Sequence, residues 1–452
     1  MKVAPPPPVL IDSSTVEMLM SFGAVDAQGR YLHWDELRHR IPRDVSPQAA
    51  WSAVKFARMV IVKGLPMRAA DGSSFRYAVT DRMQQRLHRI DRLCGPQLDP
   101  AAFGTTSTQR EHYFVASLLM EEAITSAQLE GAATTRRVAK QMLETERPPR
   151  DEHERMIVNN YLLMKEVLNC KDEALSIELI RRLHSLATDG TTNPDVVPGM
   201  LREGDDVVVQ GRDGEVVHQP PLAVDLPERL EALCQFANAD QDGREVSLFI
   251  HPCIKAVILH FMLAYEHPFG DGNGRTARAL FYWYMLKRGY WPFEYISISS
   301  LLHKAPIQYA RAYLYSESDE FDLTYFIDYQ IEIVERAMDA FLAYIERKRR
   351  EFYELMQWLD TTGIQDQLNF RQGQLLRKAL RHPGRGFTVK EVSKDFGVTE
   401  NTARADLKKL AKLKMLAEVQ EGKTTLFIAR ADIAEKLGLA ARSRKSGDGT
   451  RS

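Results

Sequence analysis

Cysteine is scarce in this chain: four in 452 residues, Cys94, Cys170, Cys234 and Cys253, with no C-x-x-C spacing. That excludes a zinc motif of this kind and the disulfide framework that staples small secreted domains, so a reducing cytoplasm is the expected setting. No apolar run approaches the length of a membrane span, and the opening MKVAPPPPVLIDSS has one lysine and no apolar stretch able to act as a signal. Neither a membrane partner nor classical secretion is expected. G-x-x-x-x-G-K-[ST] is absent, which excludes a P-loop. Net charge is also small, with 60 Lys and Arg against 61 Asp and Glu, but it is unevenly spread. Residues 371–452 hold 19 bases against 9 acids, leaving 41 against 52 in the first 370. A basic C-terminal module on an acidic body points to nucleic acid or an acidic partner.

Apolar content of 44% and charged content of 27% are those of a soluble globular protein with room for two to four domains. The densest chemistry lies in His267–Arg278, HPFGDGNGRTAR. The preceding IKAVILHFMLAY (254–265) is almost wholly apolar and reads as a buried helix, which Pro268 ends by forcing His267 out of helical geometry. After Gly274, RTARALFYWYMLKRG resumes helical spacing and stops near Gly289. Gly270, Gly272 and Gly274 let backbone amides turn inward, and the start of the second helix adds unpaired N–H groups and a favourable dipole. Arg275 and Arg278 lie three apart on one face, close enough to grip one polyphosphate. Asp271 offers a hard oxygen suited to Mg²⁺, and His267 is the group whose pKa suits taking a proton from a hydroxyl. Phe269 is expected to point into the core. The spacing G-x-G-x-G is one residue short of a dinucleotide fingerprint and follows a helix, and an EF-hand from Asp271 would need Asp or Asn at Arg275.

HPFGDGNGRTAR resembles, at every fixed position, the signature H-P-F-x-[D/E]-G-N-G-R-x-x-R of Fic-domain proteins. The resemblance implies an all-α core that transfers AMP from ATP, with Mg²⁺, to a hydroxyl-bearing side chain of a target protein and releases pyrophosphate. It implies His267 as general base, Phe269 as anchor and Asp271 as Mg²⁺ ligand. Gly272, Asn273 and Gly274 would form the anion hole, with Gly270 also in the nucleotide-binding loop. Arg275 and Arg278 would be the phosphate clamps, Arg278 reaching the γ-phosphate.

Upstream, EEAITSAQLEGA places Ser126 and Glu130 at i and i+4 of a helix that Gly131 can stop. A carboxylate near a helix C-terminus is mildly unfavourable and suggests a cationic partner. The run resembles the family's inhibitory-helix pattern [S/T]-x-x-x-E-[G/N], which implies that Glu130 pairs with Arg278 and blocks the γ-phosphate site. Residues 198–221 contain two short strand-like runs, Val207–Val208–Val209 and Glu215–His218, around GRDG, a candidate hairpin. In the family such a flap holds the target segment by strand pairing. Tyr309 and Tyr313, one helical turn apart, are candidates for an adenine pocket, although that spacing also suits packing. His184, on an amphipathic helix, reads as a hydrogen-bonded core histidine.

The C-terminal module reads as helix (372–382), helix (387–397), helix after Thr399 with Ala403, Leu407 and Leu410 inward, then two strands around Glu421–Gly422. That order resembles a winged helix-turn-helix, with Asn401, Arg404, Lys408 and Lys423 placed to touch duplex DNA. Docking to protein is the other use of such a module. The expected organisation is a disordered Pro-rich start (1–10), an N-terminal helical region (11–105), a Fic catalytic domain (106–345) including an inhibitory helix (117–131), a helical linker (346–370), a winged helix (371–437) and a disordered basic tail (438–452). The fold class is mainly α, with a small β-hairpin flap. The expected function is a protein adenylyltransferase acting on Ser, Thr or Tyr and restrained by Glu130. The alternatives are a DNA-binding regulator whose Fic core senses nucleotide, or removal of AMP at the same site; a homodimer is a further possibility.

Overall fold

The computed structural model describes residues 3–10, 12–94, 120–145, 147–191, 196–211, 213–240, 249–362, 368–381, 384–421 and 424–430. The chain divides into two compact units, residues 1–344 and 345–452. In the first unit, helices α1 (Ser13–Met18), α2 (Trp34–Leu37) and α3 (Pro47–Arg58) are followed by strands β1 (Lys63–Arg68) and β2 (Ser74–Tyr77), then helix α4 (Asp81–Cys94). The sequence pattern does not predict the antiparallel β1–β2 hairpin. Gly64 and Pro66 lie inside β1, and β2 alternates as a strand does but over only four residues, too short a run to announce itself. The hairpin's turn is polar and tight: Asp71 accepts from the Ser73 amide, and Gly72 has φ +84°. Residues 3–10 differ from the expected disorder. They have no helix or strand, yet the Ala4 amide donates to Asp35, the Leu10 amide to Ser52, and Gln48 to the Pro8 carbonyl.

Next come α5 (helical over 120–129), α6 (Arg136–Thr145), α7 (Glu152–Asn169) and α8 (Ile177–Thr188). The hairpin β3 (Val209–Gln210) and β4 (Val216–His218) is followed by α9 (Leu226–Asn238), α10 (Pro252–Glu266), α11 (Asn273–Lys287), α12 (Ser299–Leu302), α13 (Pro306–Ser318) and α14 (Thr324–Thr362). α10 buries nearly every side chain, as a helix apolar on all sides must, and packs against α11 across the glycine-rich turn. His251 caps its start by accepting from the Cys253 amide, with Pro252 at the first helical position. α14 is tied to α4 by Arg86 with Asp328 and Glu332, and by Arg89 with Glu335 and Asp339.

The second unit holds α15 (Phe370–Arg381), β5 (Gly386–Thr388), α16 (Val389–Phe396), α17 (Glu400–Lys412), β6 (Leu416–Glu421) and β7 (Thr424–Ala429). Thr388 and Glu391 form a reciprocal capping box at the start of α16, and Thr399 caps α17. Ala403, Leu407 and Leu410 point inward as expected, onto Leu375, Leu376, Phe387 and Phe427. The sheet has three strands, ordered β5-β7-β6, where two were expected. The third comes from Phe387, which pairs with Phe427 and leaves the helix to begin only at Val389. Lys423 and the tail 438–452 lie outside the described residues.

Candidate active site

The site forms where α10 ends and α11 begins. His267 closes α10 in the left-handed region at φ 44°, ψ 55°, instead of the extended backbone expected before Pro268. That conformation costs a non-glycine residue on the order of 1–3 kcal/mol, so the surroundings must hold it. Its ring donates from Nδ1 to the Ala264 carbonyl at 3.3 Å, leaving Nε2 with its lone pair. Burial pushes the His267 pKa down to about 4, so the ring is neutral at pH 7. An uncharged imidazole with a free acceptor nitrogen is what a general base requires.

The loop is shaped from within and below. Phe269 is fully buried and stacks on His184, with ring centroids 3.6 Å apart. His184 accepts at Nδ1 from the Gly199 amide and donates at Nε2 to the Asp271 carbonyl, which fixes its neutral tautomer. It is thus a hydrogen-bonded core histidine that also supports the loop. Asn273 donates to the Phe269 carbonyl at 2.8 Å and accepts from the Phe269 amide at 3.0 Å. Its side chain is therefore spent on the loop, and only its backbone amide faces the expected anion-hole role. Gly272 has φ +78°, and a Cβ there would meet the Thr188 methyl at 2.7 Å and His184 Nε2 at 3.1 Å. Gly272→Ala is expected to lower stability by about 1–3 kcal/mol, read as a thermal midpoint, and to remove nucleotide binding. A variant that melts with the wild type would show that the close fit is relaxed in solution.

The two arginines engage different elements. Arg278 is buried, donates from Nε to the Ser126 hydroxyl at 2.9 Å and from Nη2 to the Ser126 carbonyl at 3.1 Å, and pairs with Glu130 at 2.9 Å. Arg275, equally buried, donates to the Ala187 carbonyl at 2.5 Å and to Asp271 at 3.2 Å. The i, i+3 spacing brings their backbone positions together, while each guanidinium follows its own protein partner. Glu130 sits directly over Gly274, so its carboxylate occupies the N-terminal end of α11 where an anion would lie.

Glu130 itself is placed by the end of α5. The Ala132 amide bonds the Ala127 carbonyl, the Gly131 amide bonds the Gln128 carbonyl, and Gly131 takes φ +99°, a Schellman-type stop. Earlier on α5, the buried carboxylate of Glu122 accepts from Tyr282, Ser297 and both the amide and hydroxyl of Ser299. Asn160 adds a bond to the Ala123 carbonyl. α5 is thereby fastened to the element that carries Arg278.

Asp271 keeps nearly half of its side chain exposed. Among the described residues no three His, Cys, Asp or Glu side chains converge as a metal site. One open carboxylate fits a Mg²⁺ held mainly by phosphates and water, and does not fit a cation caged by protein. Tyr309 bonds His260 at 2.8 Å and Tyr313 at 3.2 Å, and lies beside Arg278. In the flap, only Val209 of the three expected valines is in β3; Val207 and Val208 precede it without pairing. Sequence reasoning missed Glu122, Arg202 and His218. Arg202 donates from Nε to the His267 carbonyl at 3.0 Å, and His218 donates to Glu317 at 2.7 Å and to the Tyr265 carbonyl at 2.8 Å. No motif marks them: Glu122 gathers hydroxyls and an amide from residues 282–299, while Arg202 and His218 reach main-chain carbonyls. All of these partners but those of Arg202 within the flap lie far along the chain.

Residues 174–285 match the Fic/DOC family. A protein adenylyltransferase Fic of Culex quinquefasciatus is 30% identical over 125 residues, covering 28% of this chain and 22% of that protein. One from Nematostella vectensis is 28% identical over 126 residues, 28% of this chain and 26% of that protein. The chain thus spans about a quarter of these relatives' length. A solved Fic family protein from Desulfovibrio desulfuricans aligns over 78% of this chain and 97% of its own, at 16% identity and a TM-score of 0.49.

Proposed function

We propose, from the premise that the chain carries a Fic/DOC domain over residues 174–285, that it moves AMP from ATP to a Ser, Thr or Tyr hydroxyl of a target protein. The observation that carries this reading is His267, its Nδ1 bonded to the Ala264 carbonyl and its Nε2 left to accept, at the mouth of an anion site that a carboxylate already occupies. The target hydroxyl gives its proton to His267 Nε2 as its oxygen bonds the α-phosphorus, and the bond to the pyrophosphate oxygen breaks. Backbone amides at the start of α11, with Arg275 and Arg278 once released, would balance the developing charge. Mg²⁺, when bound at Asp271, would neutralise the phosphates. Val209 and its neighbours would hold the target segment by strand pairing, and Tyr309 and Tyr313 would border the adenine. Ser126, Glu130 and Gly131 together hold the site off, and removal of AMP at the same site is a second activity of this arrangement. Label transfer from ATP to protein that depends on His267 tests the reading; nucleotide binding without transfer would favour a sensor. A cytoplasmic setting agrees with four buried cysteines that stay unpaired.

A second reading concerns the C-terminal unit as a winged helix that binds duplex DNA. Asn401, Arg404 and Lys408 are all exposed along one face of α17. Replacing Arg404 and Lys408 by Ala is expected to reduce the slope of log affinity against log salt by roughly 1 for each phosphate no longer neutralised. Absence of any shift on duplex DNA at low salt would leave protein docking as the unit's role.

A further inference from the structure

A helix ends with carbonyls that have no partner within it, and the negative end of its dipole favours cations. At and just past the end of α10 the carbonyls are taken by two residues, one from each arm of the flap. On the entering arm, the Arg202 amide donates to the Pro268 carbonyl at 2.9 Å. Its guanidinium donates to the His267 carbonyl at 3.0 Å and makes a longer contact with the Glu266 carbonyl at 3.5 Å. On the leaving arm, His218 donates to the Tyr265 carbonyl at 2.8 Å. Four successive carbonyls, 265 to 268, are thus covered. Arg202 also closes the flap on itself, donating to the Gly204 carbonyl at 3.0 Å and to the Pro221 carbonyl.

Both side chains act as cations. Arg202 is buried, and neither ring nitrogen of His218 is left to accept, because a carbonyl and the Glu317 carboxylate each require a donor. Burial alone would discharge His218; its bond to Glu317 and the charge there reverse this and raise its pKa.

We infer that Arg202 and His218 are positioning residues for the reaction proposed above: they cap α10, hold His267 in its left-handed conformation, and fasten the flap to the base. The flap that receives the target and the histidine that deprotonates it then move as one piece. A displacement of about 1 Å at a reacting group can cost on the order of a hundredfold in rate, which sets the scale of the effect. The charged groups facing the His267 ring are Arg202 and His218 from the flap arms and Glu130 from the end of α5.

The test uses the full chain carrying Glu130→Gly, with Arg202→Gln, Arg202→Lys or His218→Gln added. All three are expected to lower kcat at least tenfold while the KM for ATP stays within twofold. Arg202→Gln and His218→Gln each remove a positive charge near His267, so the acid limb of the pH–rate profile should move to higher pH. Arg202→Lys keeps the charge without the fork, so its limb should stay in place while kcat remains low. Values of kcat within twofold of the parent, or a loss confined to KM, would overturn the inference. Should the Glu130→Gly parent transfer no AMP, the proposed function fails on its own. The inference is then decided by NMR titration of the His267 ring, identified by its loss in His267→Ala. An upward shift in Arg202→Gln supports it, and an unmoved titration overturns it.

Discussion

Glu130→Gly is expected to raise AMP transfer by well over tenfold, including transfer to the protein itself. The Glu130 carboxylate contacts Arg278 at 2.9 Å and lies over Gly274, so it holds both the cation and the space that a terminal phosphate would use. A phosphate oxygen can replace a carboxylate on a guanidinium, but the two cannot share one position. Removing the carboxylate frees Arg278 while leaving its bonds to Ser126, so the guanidinium stays aimed. Intact-mass measurement of AMP incorporation checks the gain, and Glu130→Gln separates charge from bulk. Unchanged incorporation by both variants would mean that α5 is only structural.

In that activated background, His267→Ala is expected to cost about 10²–10⁴-fold in kcat, the range for loss of a positioned general base, with ATP affinity kept. The pH dependence follows from the same side chain. Burial holds its pKa near 4, so the base is unprotonated throughout the range from pH 6 to 8 and the rate should be flat there. With Glu130 present activity should fall as pH drops through about 4, where the ring takes a proton and can no longer accept one. In the Glu130→Gly background, which loses a charge that raises this pKa, the fall should come at lower pH. Full activity in the alanine variant, measured by transfer of labelled AMP, would remove His267 from the mechanism.

The glycine-rich loop was legible because each of its residues carries its chemistry in its identity and spacing. A histidine before proline, an arginine pair and alternate glycines allow few other structures, and the buried helices on either side announce themselves by composition. Ser126 and Glu130 were legible for the same reason, and the structure seats both on Arg278. What stayed hidden depends on contacts that sequence does not record. Arg202 and His218 bond carbonyls, and any residue supplies a carbonyl. That Arg275 turns to the end of α8 while Arg278 turns to α5 is something only the tertiary packing specifies. The β1–β2 hairpin was missed because Gly64 and Pro66 disguise a strand whose stability comes from burying Leu65, Met67 and Phe75.

The buried carboxylate of Glu122 gives the proposed restraint its strength. Its bonds to Tyr282, Ser297 and Ser299 keep Glu130 from drifting away from the site, so Glu130 behaves as a tethered ligand. For such a ligand the relevant quantity is a local concentration, in the millimolar range for short flexible tethers and higher for a rigid one. In the proposed restraint ATP would have to outcompete that concentration, so loosening Glu122, two helical turns away from Glu130, would lower the threshold at which nucleotide enters.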